Sequence, residues 1–172
     1  MKLQYRIMKI YRGGSMADTP HLTPGDAAPD FALRATGGTT VALADYAGRR
    51  VVVYFYPRAA TPGCTTEACD FRDSLSALAA AGYDVVGVSP DPVADLEAFA
   101  ADQSLTFPLL SDPDSAVARA YGAYGAKELG GQQITGVLRS TVVLDEDHRV
   151  QHAQYRVDAQ GHVAQLRRTL GA

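Results

Sequence analysis

The chain has 172 residues, 47% hydrophobic and 20% charged, with a formal net charge of -3. This is the composition of a globular domain with a core of its own, which excludes a disordered or fibrous chain. The charge gives no ground for a nucleic-acid or membrane partner, no apolar stretch is long enough for a membrane span, and two cysteines are too few for a secreted disulfide scaffold.

The segment MKLQYRIMKIYRGGS, residues 1–15, carries Lys2, Arg6, Lys9 and Arg12 with no acid, then a Gly-Gly-Ser spacer before a second methionine, Met16. Basic residues interrupt its apolar positions, so it is not patterned as a signal peptide. It is expected to be a tag or non-native extension, with one domain spanning 16–172 and a cytoplasmic location.

From Met16 onward, short strand-like and helix-like segments alternate. LTPGDAAPDFAL is rich in proline and glycine and reads as an extended lead-in; TTVALADYAG reads as a short strand running into a turn. RVVVYFYP, Arg50–Pro57, is a continuous apolar run of the kind buried on both faces of a sheet, ended by a proline that cannot donate to a ladder. Thr61 to Ala81 reads as a helix, with Thr61 as N-cap, Pro62 in the first turn and Gly82 as the stop; Ala68, Phe71, Leu75 and Leu78 form its apolar stripe.

Tyr83–Asp91 reads as a second buried strand, PVADLEAFAADQ as a second helix, FPLLSD as a short strand and Asp114–Tyr121 as a short helix. Arg139–Tyr155 reads as a hairpin turning at Asp145–His148, and GHVAQLRRTL as a closing helix. The order implies an α/β fold, a mixed central sheet flanked by helices on both faces. Sites in such sheets gather at the carboxyl ends of the strands, and the segment from Pro57 to Cys64 leaves a buried strand there.

That segment leads into both cysteines, Cys64 and Cys69. In the first helical turn, unsatisfied backbone donors and the helix dipole favour a thiolate at Cys64. At 100° per residue Cys64 falls on the apolar face, and Cys69 on the polar face with Arg72, Asp73 and Ser76, roughly 140° away. Ideal helix geometry separates their Cα atoms by about 8.6 Å, beyond the ~6.8 Å reach of a relaxed disulfide. A bond between them requires the first turns to unwind. By themselves, the two cysteines are equally compatible with ordinary buried or half-exposed thiols.

Pro57, Thr61 and Cys64 form the pattern P-x-x-x-T-x-x-C, which resembles the active-site motif of peroxiredoxins. With the second cysteine in CTTEACDFRD, and with LTPGDAAPDFAL, TFPLLSD and GVLRSTVVLD, the chain from Met16 onward resembles the PrxQ subfamily, also called bacterioferritin comigratory protein. The resemblance implies a thioredoxin-like fold and a thiol-dependent peroxidase acting on hydrogen peroxide and organic hydroperoxides, recycled by thioredoxin or a similar dithiol donor. It implies that Cys64 is the peroxidatic cysteine, that Thr61 and Arg139 position and polarise the peroxide, and that Pro57 shields the site. Cys69 would resolve the Cys64 sulfenic acid as an intramolecular disulfide. No metal, haem or flavin is implied, and the subfamily leans towards a monomer or weak dimer.

The residue types suit that chemistry. The oxygen that departs from a peroxide gathers negative charge, which a fixed cation and a hydroxyl donor stabilise, and Arg139 keeps its charge at every relevant pH. A nearby thiol then captures the sulfenic acid before irreversible over-oxidation. Glu67, at an often acidic position of the subfamily, also reads as a first-turn acid that complements the helix dipole. The four histidines, His21, His148, His152 and His162, have no metal-ligand spacing and read as surface or packing residues. Tyr54 and Phe55 read as core. The alternatives are a thioredoxin-like protein disulfide oxidoreductase, against which the missing CxxC argues, and a non-enzymatic binding domain on the same fold.

Overall fold

The computed structural model describes residues 19–172. The expected extension 1–15 and the expected domain start at Met16 lie outside the described residues.

The apolar run Arg50–Phe55 becomes strand β3, after the short antiparallel strands β1 (Ala32–Arg34) and β2 (Thr40–Ala42) and a 3-10 helix at Leu43–Tyr46. Helix α1 (Pro62–Ala80) leads to β4 (Tyr83–Ser89), α2 (Val93–Gln103) to β5 (Leu109–Ser111), and α3 (Ala116–Ala120) to the hairpin β6 (Tyr124–Leu129) and β7 (Gln132–Val137). Strands β8 (Ser140–Leu144) and β9 (Val150–Tyr155) and helix α4 (His162–Leu170) complete the order. The central sheet runs β5-β4-β3-β8-β9; β3, β4 and β5 are parallel, and β8 and β9 are antiparallel to their neighbours.

Side-chain alternation along β3 builds two cores. Val51, Val53 and Phe55 pack on one face with Phe31, Leu43, Ala118 and Tyr121, and Val52, Tyr54 and Tyr56 pack on the other with Cys64, Phe71, Leu96 and Leu166. Helices α1, α2 and α4 therefore cover the second face, and α3 with the two hairpins covers the first. Tyr54 and Phe55 are fully buried, as the sequence suggested. Tyr54 stacks on Phe71 at 4.4 Å between ring centroids. Position 87 must be glycine here, because a Cβ would stand 2.9 Å from the Tyr54 ring.

Two elements differ from the sequence reading. The β6–β7 hairpin was not anticipated; it turns at Gly130 and Gly131, both at positive φ, which suits a two-residue hairpin turn. The lead-in supplies β1, a strand rather than only extended chain. No helix among the described residues is long and apolar enough to cross a membrane.

The register decides where the site lies. Phe55 at the end of β3 pairs with Ser140 at the start of β8. Antiparallel pairing therefore brings Arg139, the residue before β8, to the rim where β3 hands the chain to α1.

Candidate active site

Helix α1 begins at Pro62, whose missing N–H is no loss in the first turn. Thr61 occupies the N-cap position but does not cap the helix; its hydroxyl donates to the Arg58 carbonyl at 2.7 Å. That bond braces the loop between Pro57 and the helix, in which Ala60 adopts a positive φ of 62°. The Ala59 N–H donates to the Asp91 carboxylate at 2.8 Å, tying the same loop to the end of β4. Pro57 is half-buried just past β3.

Cys64 is the third residue of α1 and is 1% exposed. Glu67 follows one turn later on the same face, so a single side chain can bridge the two. Arg139 does so: Nη2 donates to Cys64 Sγ at 3.3 Å, and Nη1 donates to Glu67 Oε1 at 2.8 Å. The guanidinium is thus fixed in orientation, with its positive charge against the sulfur. Glu67 is not a first-turn acid complementing the dipole; it lies in the second turn, fully buried, as the counter-ion of Arg139. Burial pushes its carboxyl up to about 7, against the lowering pull of Arg139.

Three further residues shape the site without having been read from sequence. Gly63 leaves room for the guanidinium, since a Cβ there would stand 3.3 Å from Arg139 Nη2. Lys127, on β6, donates to the Val137 carbonyl at 2.7 Å. Burial, with a smaller push from Arg139, lowers its ammonium from the ordinary value against the upward pull of Cys64. Gln103, at the end of α2, accepts from Cys69. Gly63 and Lys127 become visible only once β8 and the β6–β7 hairpin are in place.

Cys69 is half-buried and its thiol donates to Gln103 Oε1 at 3.3 Å, away from the Arg139 cluster. Both cysteines are free thiols on one continuous helix. The site therefore gathers Cys64, Glu67 and Arg139, keeps Thr61 and Pro57 in the adjoining loop, and holds Cys69 apart. His162 is buried, with a ring nitrogen 2.8 Å from Thr141 Oγ1; burial, Arg139 and His152 hold it down to about 4, which suits packing. Among the described residues, no group of three or more His, Cys, Asp or Glu is placed to hold a metal ion.

A cysteine backed by a fixed arginine at the rim of such a sheet is the equipment of thiol chemistry, and the comparisons agree. The AhpC/TSA family model matches residues 24–153, and the chain belongs to that family. A Mycobacterium tuberculosis protein that carries the peroxiredoxin name is 58% identical over 155 residues, 90% of this chain and 99% of that one. Peroxiredoxin Bcp of Escherichia coli is 44% identical over 131 residues, 76% of this chain and 84% of that one. Among solved structures, a Xanthomonas campestris bacterioferritin comigratory protein described for its alkyl peroxide reduction activity is 38% identical, with a TM-score of 0.79 over 87% of this chain and 96% of that one. Within the family this chain is a peroxiredoxin of the Bcp and PrxQ kind, with a thioredoxin-like fold and thiol peroxidase activity.

Proposed function

We propose that Cys64 is the peroxidatic nucleophile and Arg139 its electrostatic partner. The contact that carries this reading is Arg139 Nη2 at 3.3 Å from Cys64 Sγ. A sulfur lone pair attacks one peroxide oxygen and the O–O bond breaks. The bonding pair departs on the other oxygen, which takes a proton and leaves as water or an alcohol. The fixed guanidinium faces both the thiolate and the charge that develops on the departing oxygen. Thr61 and Pro57 shape the approach, Thr61 with a hydroxyl that donates to Arg58 and still has lone pairs to accept a hydrogen bond from the peroxide O–H.

Cys69 is the resolving thiol. Its sulfur attacks Cys64 Sγ, the S–O bond breaks, and the hydroxyl leaves as water once protonated. Because the two thiols stand on opposite sides of α1, about 8.6 Å apart at Cα for an ideal helix, resolution follows unwinding of the first turns. A dithiol protein such as thioredoxin then returns the disulfide to two thiols. Substrates are hydrogen peroxide and organic hydroperoxides.

Stopped-flow oxidation of the reduced protein, followed by mass spectrometry, tests the roles. Cys64→Ser is expected to abolish peroxide consumption. Cys69→Ser is expected to react once and leave a trappable sulfenic acid at Cys64. Peroxide consumption by Cys64→Ser at the wild-type rate would overturn the assignment.

A further inference from the structure

Cys69 is held by more than its place on the helix. Its thiol donates to Gln103 Oε1 at 3.3 Å, and Arg72, one turn on along the same face of α1, donates through Nη1 to the Gln103 backbone carbonyl at 2.7 Å. Gln103 is the last residue of α2, and Ser104 closes that helix in the left-handed conformation with φ 54°. The carbonyl that Arg72 reaches is therefore one of those left unsatisfied at a helix end, where a cation is favoured. Arg72 Nε also pairs with Asp73 at 2.9 Å, which steadies the guanidinium. One residue of α2 thus receives two bonds from the part of α1 that must move for the thiols to meet.

We propose that Gln103 and Arg72 are positioning residues that set when Cys69 becomes available: Gln103 keeps the thiol docked on α2, and Arg72 keeps Gln103 in place. This rests on the reading of Cys69 as the resolving thiol. While docked, Cys69 spends its proton on an amide oxygen and faces away from Cys64; the thiolate, not the thiol, is the nucleophile. Unwinding the start of α1 breaks the Sγ–Oε1 contact, frees the proton to solvent and lets the sulfur swing towards the sulfenic acid. The S–S bond forms as the S–O bond breaks, and the hydroxyl leaves as water. No added oxidant or reductant is needed, because the peroxide has already supplied the oxidising equivalents to Cys64. The strength of the latch sets how long the sulfenic acid waits, and so how readily a second peroxide drives it to the sulfinic acid.

One net hydrogen bond shifts a local opening equilibrium by about two- to tenfold. Two-phase stopped-flow traces of the full chain separate peroxide attack at Cys64 from disulfide formation. Gln103→Leu is expected to raise the ratio of the second rate to the first by about fivefold, and to raise the peroxide concentration at which sulfinic acid accumulates. Arg72→Met is expected to shift the ratio in the same direction by a smaller factor. Gln103→Glu, which retains an acceptor at the same reach, is expected to stay within about twofold of wild type. Equal ratios in wild type, Gln103→Leu and Arg72→Met, with all three folded by circular dichroism, would overturn the latch. So would a Gln103→Glu protein that resolves as fast as Gln103→Leu. Absence of a Cys64–Cys69 disulfide in oxidised wild type, read by mass spectrometry, would overturn the resolving role itself and the latch with it, a failure distinct from the other two.

Discussion

Glu67 is a fully buried carboxylate whose fate with pH can be worked out. Its carboxyl moves from the ordinary 4.5 up to about 7 because desolvation outweighs the attraction of Arg139. Between those values the folded protein holds a proton that the unfolded chain has released. The stabilisation associated with this group is therefore fully present below pH 4.5 and is lost as pH rises through about 7. The loss from pH 5 to pH 8 is about 2–3 kcal/mol. Glu67→Gln has no proton to release and lacks this slope. Urea denaturation of both proteins at pH 5 and pH 8 isolates the effect, since the other titrating groups are common to both. The variant is expected to gain about 2–3 kcal/mol on wild type between the two pH values. At pH 8, where the wild-type carboxyl is ionised, it is also expected to react with peroxide roughly tenfold more slowly, since Arg139 loses its charged anchor. A stability difference equal at pH 5 and pH 8 would mean that Glu67 is ionised throughout that range and the reasoning is wrong.

Other consequences can be checked by similar means. Arg139→Ala should slow oxidation of Cys64 by about 10²–10³-fold, with only partial rescue by Arg139→Lys, which lacks the fork that reaches Glu67 and the sulfur together; unchanged stopped-flow rates would remove Arg139 from the chemistry. Gly63→Ala should crowd Nη2, slow oxidation by about tenfold and leave thermal stability equal or higher, since alanine favours the helix; a wild-type rate would mean that the guanidinium yields without consequence. Oxidation to the Cys64–Cys69 disulfide should remove amide protection from about Cys64 to Arg72 while the central sheet stays protected, and equal hydrogen exchange in both forms would sink the unwinding step.

The buried strands were legible because burial on both faces leaves a plain mark, the uninterrupted apolar run of β3. Helix α1 was legible from Pro62 and Gly82. The β6–β7 hairpin was not: its strands are mostly polar and half-exposed, and its signal rests on the Gly130-Gly131 turn. Glu67 was assigned to the wrong environment because the stripe through Ala68, Phe71 and Leu78 looks purely apolar in sequence. Glu67 and Ser74 in fact share the buried face. The cap expected of Thr61 is not made: its hydroxyl turns towards the Arg58 carbonyl as a donor, and no first-turn backbone N–H bonds to its oxygen. Cys64 and Arg139 were singled out by the family resemblance, and their contact depends on a strand register that residue spacing does not display.

That register also has a history in time. Cys64 and Arg139 are 75 positions apart, which at ~5–20 residues per second is about 4–15 s of synthesis. Throughout that interval the nascent chain carries the sulfur without the cation, and β8 has yet to supply the neighbour that β3 requires on its open edge. Cys64 is thus expected to gain its cationic neighbour only when nearly all of the polypeptide has emerged. A truncated product ending before Arg139 would bear an ordinary cysteine, and full reactivity would report that the last long-range pairing of the sheet is complete.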